Sequence, residues 1–190
     1  SILCSDMAHT HTSESGAVEA VVGCKMTPIP SVHGKISAGA LSAYLTDMGS
    51  PHHSQPGLVA LTQSTEVATV YTPEEIKAIV DVAHANGLFV HMDGARIANA
   101  AVALGCDVRS FTKDLGVDMM SFGGTKNGMM MAESVVVFNK DFVRDFVTLR
   151  KQNLQLASKM RFLAAQYIAY FKDGLWLENA RHANNMARLL

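Results

Sequence analysis

The sequence predicts an α/β fold, a mostly parallel sheet flanked by helices. Three observations predict it. Short apolar runs at residues 58–62, 88–92 and 117–122 have the length and character of buried strands. The segments between them carry apolar residues at helical spacing. The run at 88–92 is followed by Asp93-Gly94 and the run at 117–122 by Gly123-Gly124-Thr125-Lys126. Alternation of this kind builds strand–helix–strand units and a parallel sheet.

Taken in order, residues 2–4 read as a strand and residues 9–14 as a polar loop. Residues 15–23 have helical spacing and stop at Gly23, a plausible C-cap. Residues 25–29 read as a strand, with Pro28 and Pro30 marking its exit. Ser37 is placed to cap a helix reaching Met48, and residues 49–57 form a loop by composition. After the strand at 58–62, Thr72-Pro73-Glu74-Glu75 has the form of a capping box with proline at the first helical position. Ile76, Ile79, Val80 and Ala83 then share one helix face. Asn86-Gly87 ends that helix and leads into 88–92. Residues 95–104 read as a helix and 134–138 as a valine-rich strand. Residues 141–150 read as an amphipathic helix. A longer helix runs over 158–171, Gly174 breaks it, and a last helix runs to the end of the chain. No repeat, low-complexity tract or linker divides the chain.

The 190 residues suffice for one domain with a substantial core. Charged residues are 17% and hydrophobic residues 48%. The charged share is below the roughly 25% usual for soluble domains. A helix-rich core accounts for part of this, and apolar surface meeting another subunit or the remainder of a longer protein accounts for part. No apolar run is long enough for a membrane span. A net charge of −1 gives no footprint for nucleic acid. Cys4, Cys24 and Cys106 are scattered and odd in number, which suits a reducing cytoplasm better than a disulfide framework. The chain opens inside an apparent strand without an initiator methionine, and is read as a fragment.

In parallel sheets, ligands sit beyond the carboxyl ends of the strands. Asp93, Arg96 and Lys126 are therefore predicted to converge on one rim. Those residue types suit pyridoxal phosphate. A lysine amine condenses with its aldehyde, an aspartate keeps the ring nitrogen protonated, and an arginine fork matches an acid group. Gly123-Gly124-Thr125-Lys126 is not a Walker A loop, because the Gly-Lys-Ser/Thr order is absent. A lysine in a glycine-rich turn is otherwise commonly just solvated, Asp-Gly is a common turn, and Arg96 has a surface ion pair as its plain alternative.

The words His91-Met-Asp-Gly-Ala-Arg96 and Gly123-Gly-Thr-Lys-Asn-Gly128, in this order and spacing, resemble the low-specificity threonine aldolases. These belong to the β-eliminating lyase group of fold type I pyridoxal phosphate enzymes. The resemblance covers nearly the whole chain. It implies that residues 1–190 are part of the large domain, with about 150–190 leading toward a small domain beyond this sequence. It also implies cleavage of L-threonine or a related β-hydroxy-α-amino acid to glycine and an aldehyde, in a homodimer or homotetramer. By the resemblance, Lys126 forms the Schiff base and Asp93 meets the ring nitrogen. Arg96 contacts a ring substituent or the substrate carboxylate. His9, at its spacing before Glu14, stacks on the ring. His52, or His53 after a one-residue shift, stands near the substrate hydroxyl. Arg161, in a Met-Arg pair, binds the substrate carboxylate, although Leu156-Ala157-Ser158-Lys159 replaces the glycines that usually precede that pair. The family's Gly-Thr phosphate loop would lie before residue 1.

Other readings stay beside this one. β-Elimination or transamination would reuse the same lysine, aspartate and arginine, and a fragment without the phosphate loop could be inactive alone. His9 and His11 form a His-x-His pair, but no carboxylate–histidine set completes a metal site. His11 reads as a loop residue and His91 as a packed core histidine. Glu14 and Glu66 are weak candidates for orienting the cofactor or a histidine.

Overall fold

The computed structural model describes residues 1–189. Its elements are β1 (Ile2–Ser5), α1 (His9–Thr12), α2 (Ala17–Val22), β2 (Met26–Ile29), α3 (Ala38–Ala43) and β3 (Leu58–Thr62). Next come α4 (Pro73–Ala85), β4 (Phe89–Gly94), α5 (Ile97–Leu104), β5 (Met119–Gly123) and β6 (Glu133–Val137). The helices α6 (Phe146–Gln152), α7 (Met160–Phe171) and α8 (Leu175–Ala187) close the described chain. The strands form one six-stranded sheet in the order β2-β1-β3-β4-β5-β6. All neighbouring pairs are parallel except β5 with β6, which is antiparallel.

Alternation along the strands sends side chains to two layers. Leu3, Ile29, Val59, Leu61, Val90, Met92 and Met120 enter the main core, against Ile76, Ile79, Val80 and Ala83 of α4 and Ile97, Ala100 and Ala101 of α5. Cys4, Ala8 and Met26 form a smaller cluster on the other side, with Ile2, Val18 and Ala60 packed on it. α4 begins as its sequence dictates. The Thr72 hydroxyl accepts from Glu75 N, the Glu75 carboxylate accepts from Thr72 N, and Pro73 opens the first turn.

Several boundaries differ from the sequence reading. Residues 9–14 are not a loop throughout, since His9–Thr12 closes one helical turn, bonded by His11 N and Thr12 N to the Ala8 carbonyl. The helix expected from Ser37 to Met48 ends at Ala43 and continues as turns, with Leu45 N bonded back to Ser42 O and Met48 N to Leu45 O. The helix expected over 141–150 starts at Phe146, after Asp145 in a left-handed conformation at φ 55°. The last helix ends at Ala187, and Leu190 lies outside the described residues. Among the described residues no helix is long and apolar enough to cross a membrane, and no cluster of metal-ligating side chains forms. Large apolar side chains stand exposed on α7, including Phe162 and Ile168.

Candidate functional site

Thr62, Asp93 and Ser121 lie side by side across the carboxyl ends of β3, β4 and β5, in direct register. Just beyond them the chain turns three times. After β3 it forms the run Gln63-Ser64-Thr65-Glu66, after β4 it enters α5 through Arg96, and after β5 a single tight turn carries Lys126. Two glycines let these turns approach. A Cβ on Gly94 would sit 2.5 Å from the Ser121 carbonyl oxygen, and one on Gly123 would sit 2.6 Å from the Ala95 backbone. Both contacts are far inside van der Waals range, so only glycine brings the end of β5 against the start of α5.

The result is a cavity of about 590 Å³. Ser64, Thr65 and Glu66 after β3, Arg96 and Asn99 at the start of α5, and Lys126 after β5 line it. The helix α8 supplies the far wall, ending at Arg188. That wall is fixed by a reciprocal pair. Asn99 Nδ2 donates to Asn184 Oδ1 at 2.9 Å, and Asn184 Nδ2 donates to the Asn99 carbonyl at 3.0 Å.

Lys126 is exposed, and its amine has no hydrogen bond or ion pair among the described residues. Its neighbour is the opposite. Asn127 is buried, and its amide donates to the Tyr170 hydroxyl and, at 2.8 Å, to the Trp176 carbonyl. Its own carbonyl accepts from Asn179 Nδ2 at 3.0 Å. The lysine is thus a free amine on an anchored turn. Arg96 is half-buried and likewise without an acidic partner among the described residues. Asp93 accepts from Ala95 N on Oδ1 at 2.9 Å, and its Oδ2 has no partner among the described residues.

Glu66 binds in two directions. Its Oε1 accepts from His9 N at 2.8 Å and from Thr62 Oγ1 at 3.0 Å, while Oε2 is buried without a partner among the described residues. His9 is held at its ring as well, with Nδ1 3.0 Å from Glu14 Oε1. From the sequence both glutamates stand only as candidates for orienting the cofactor or a histidine. Asn99, Asn127 and Arg188 carried no local signal, because their partners or cavity neighbours are distant in the chain.

Asp93 does not line this cavity but stands near the end of β4, three residues before Arg96, and the other expected residues lie apart from it. His9 sits at the exposed start of α1, joined to the site through Glu66. His52 is exposed in the loop before β3, and His53 pairs there with Asp47 at 3.5 Å. Neither lines the cavity that holds Lys126. His11 is exposed in α1. Arg161 is exposed at the start of α7, its guanidinium 4.8 Å from the centre of the Phe162 ring, and it does not line the cavity.

Chemically, the assembled set is a nucleophilic amine, a guanidinium without a counter-ion and a carboxylate with one uncapped oxygen. It suits a ligand that combines an aldehyde, an acid group and a protonated ring nitrogen. Pyridoxal phosphate is such a ligand, so the residues present fit the cofactor expected from the sequence.

The profile of the beta-eliminating lyase family matches residues 1–190. The low specificity L-threonine aldolase of Pseudomonas aeruginosa is 44% identical over a 191-residue alignment, which takes in 100% of this chain and 55% of that protein. A threonine aldolase structure from Leishmania major superposes with a TM-score of 0.92 at 32% identity, over 99% of this chain and 55% of that one. An L-allo-threonine aldolase structure from Listeria monocytogenes shares the fold, with a TM-score of 0.72 at 16% identity, over 93% of this chain and 48% of that one. The chain spans about half the length of the relatives it matches.

Proposed function

The chain belongs to the beta-eliminating lyase family, and from that premise we propose that it carries the catalytic half of a pyridoxal-phosphate-dependent aldolase. The reaction is cleavage of L-threonine, or a related β-hydroxy-α-amino acid, between Cα and Cβ. The products from threonine are glycine and acetaldehyde. The observation that carries this reading is the cavity that Lys126 shares with Arg96, which stands three residues beyond Asp93 at the carboxyl end of β4.

The bound cofactor supplies an aldehyde for the amine to condense with and an electron-accepting ring that takes up the electrons of the breaking bond. The chain's residues do the rest. Lys126 offers its free amine from a turn that Asn127 prevents from shifting. Asp93 stands at the carboxyl end of β4 with Oδ2 unpartnered among the described residues, and its negative charge favours a protonated ring nitrogen. Arg96 grips an acid group as a planar fork. His9, steadied through Glu14 and Glu66, supplies a flat ring beside the site. A histidine takes the proton of the β-hydroxyl. His9 and the loop histidine His52 are the candidates, with His53 the alternative to His52. Arg161 is proposed to meet substrate carboxylate in the full-length assembly.

The reading extends to the whole protein as follows. Residues 1–190 form part of the large domain, and 150–190 lead to a small domain. The exposed apolar residues of α7 support self-association as a homodimer or homotetramer. The scattered free cysteines support a reducing, cytoplasmic setting.

Two measurements test it. Pyridoxal phosphate added to the 190-residue chain is expected to give an absorbance band near the visible edge that is absent from Lys126→Ala. L-Threonine added to the protein extended to its relatives' length is expected to release acetaldehyde and glycine. Ammonia and a keto acid in their place would overturn the aldol assignment.

A further inference from the structure

Asp93 carries an oxygen that nothing caps, although a hydroxyl stands beside it. Ser121 is the in-register neighbour of Asp93 on β5, with its side chain on the same sheet face. A serine so placed is an ordinary hydrogen-bond donor to a carboxylate. It makes no such bond here. Its Oγ lies 2.9 Å from Nε2 of His91, which stands on that same face of β4, two residues before Asp93. His91 thus engages one of the two hydroxyls that flank Asp93 in the row. The third member of the row, Thr62, is equally engaged, because its hydroxyl donates to Glu66.

We propose that His91 is a positioning residue, which holds the Ser121 hydroxyl away from Asp93 so that Oδ2 stays open to a protonated ring nitrogen. The sequence alone offers His91 only as a packed core histidine. The geometry gives it work that acts through two neighbours and touches no ligand. A carboxylate capped by a neutral hydroxyl would interact less strongly with a ring N–H, since each acceptor oxygen shares its charge among its donors. Burial holds the imidazole pKa below its ordinary value, against the pull of Asp93, so His91 stays neutral near pH 7 and adds no competing positive charge.

This inference rests on the proposed cofactor, and a cycle of variants separates the two. The dissociation constant of pyridoxal phosphate is read from the visible band in wild type, His91→Phe, Ser121→Ala and the double variant. His91→Phe releases the hydroxyl, and binding is expected to weaken about tenfold, with a displaced band. The double variant lacks the Ser121 hydroxyl that would be released, while Thr62 stays engaged with Glu66, and it is expected to return to within about twofold of Ser121→Ala alone. A double variant as weak as His91→Phe would assign the imidazole a packing role only and overturn the proposal. Should His91→Phe not fold, His91→Ala carries the same cycle. A wild-type protein extended to its relatives' length that still forms no band overturns the cofactor reading and this inference together, whereas a band without rescue overturns this inference alone.

Discussion

The side-chain amide of Asn127 donates to the backbone carbonyl of Trp176 at 2.8 Å, which ties the turn bearing Lys126 to the start of α8. The same amide reaches the Tyr170 hydroxyl at the end of α7. Asn127→Ala leaves a buried carbonyl and a buried hydroxyl without their donor, at a cost of about 1–3 kcal/mol. Urea unfolding is expected to show that loss. Because the turn then moves, the pyridoxal phosphate band is expected to weaken as well. Tyr170→Phe removes one partner and keeps the Trp176 bond, so its loss is expected to be smaller in both measurements. Equal losses would mean that the two bonds do not share the anchoring.

Glu66 joins α1 to β3 through one oxygen, accepting from His9 N and Thr62 Oγ1. Glu66→Ala is expected to lower stability by about 1–3 kcal/mol and to free the start of α1. Glu66→Gln keeps an acceptor at Oε1 for His9 N and Thr62 Oγ1 and removes the charge of a carboxylate whose second oxygen is buried without a partner among the described residues. It is therefore expected to lie close to wild type in urea unfolding. A Gln variant as unstable as the Ala variant would show that the negative charge, rather than the acceptor geometry, holds the two elements together.

What the sequence exposes here is what short-range physics decides. The Thr72–Glu75 capping box is complete within four residues of chain, and α4 starts at the residue it dictates. The buried strands, and the turns at their carboxyl ends that bring Arg96 and Lys126 to one cavity, follow from the same local patterns. Tertiary partners decide the rest. Glu66 meets His9 across 57 positions, and Asn127 meets Tyr170 across 43. α1 is a four-residue helix with no side-chain cap, so nothing local announces it. The antiparallel run of β6 against β5 depends on a return through the Lys126 turn, which strand composition does not encode.

Gly123 and Gly124 sit together before Lys126 and are expected to respond differently to an added methyl. On Gly123 the methyl meets the Ala95 backbone at 2.6 Å, and backbone cannot step aside without moving the start of α5. On Gly124 its tightest contact is the sulfur of Met129, the adaptable end of a flexible side chain, and the nearest backbone atom, the Ala132 carbonyl oxygen, stands further off at 3.0 Å. Gly123→Ala is expected to lose about 1–3 kcal/mol or more in urea unfolding. Gly124→Ala is expected to lose less. The reverse order would contradict the close packing of β5 on the entrance to α5.

The three thiols are expected to differ in reactivity. Cys4 is fully buried, and burial, helped by the charges of Glu19, Glu66 and Asp6, pushes its pKa up to about 11. The thiolate is the nucleophile, so Cys4 is protected both by access and by protonation. Cys24 and Cys106 are partly accessible. An aromatic disulfide reagent at pH 8 is expected to label Cys24 and Cys106 in the folded chain and Cys4 only after urea is added. Early labelling of Cys4 would show that β1 opens without global unfolding.

Acid should weaken the fold through His91. Burial lowers its pKa in the folded chain, and the charge of Asp93 only partly opposes this. The unfolded chain has an ordinary imidazole, with a pKa of about 6.5. Above that pH neither state carries the proton, and His91 adds no pH dependence. As pH falls through about 6.5 the unfolded chain takes up the proton first, so stability drops. The drop levels off only below the folded-state pKa, where both states are charged. Urea unfolding at pH 7.5 and 5.5 is expected to show a larger acid loss in wild type than in His91→Gln, which has no imidazole to titrate. The difference between the two proteins isolates His91 from the carboxylates, which titrate in both. An identical acid loss in the two would mean that the folded and unfolded chains hold the His91 proton equally, so that burial does not lower its pKa.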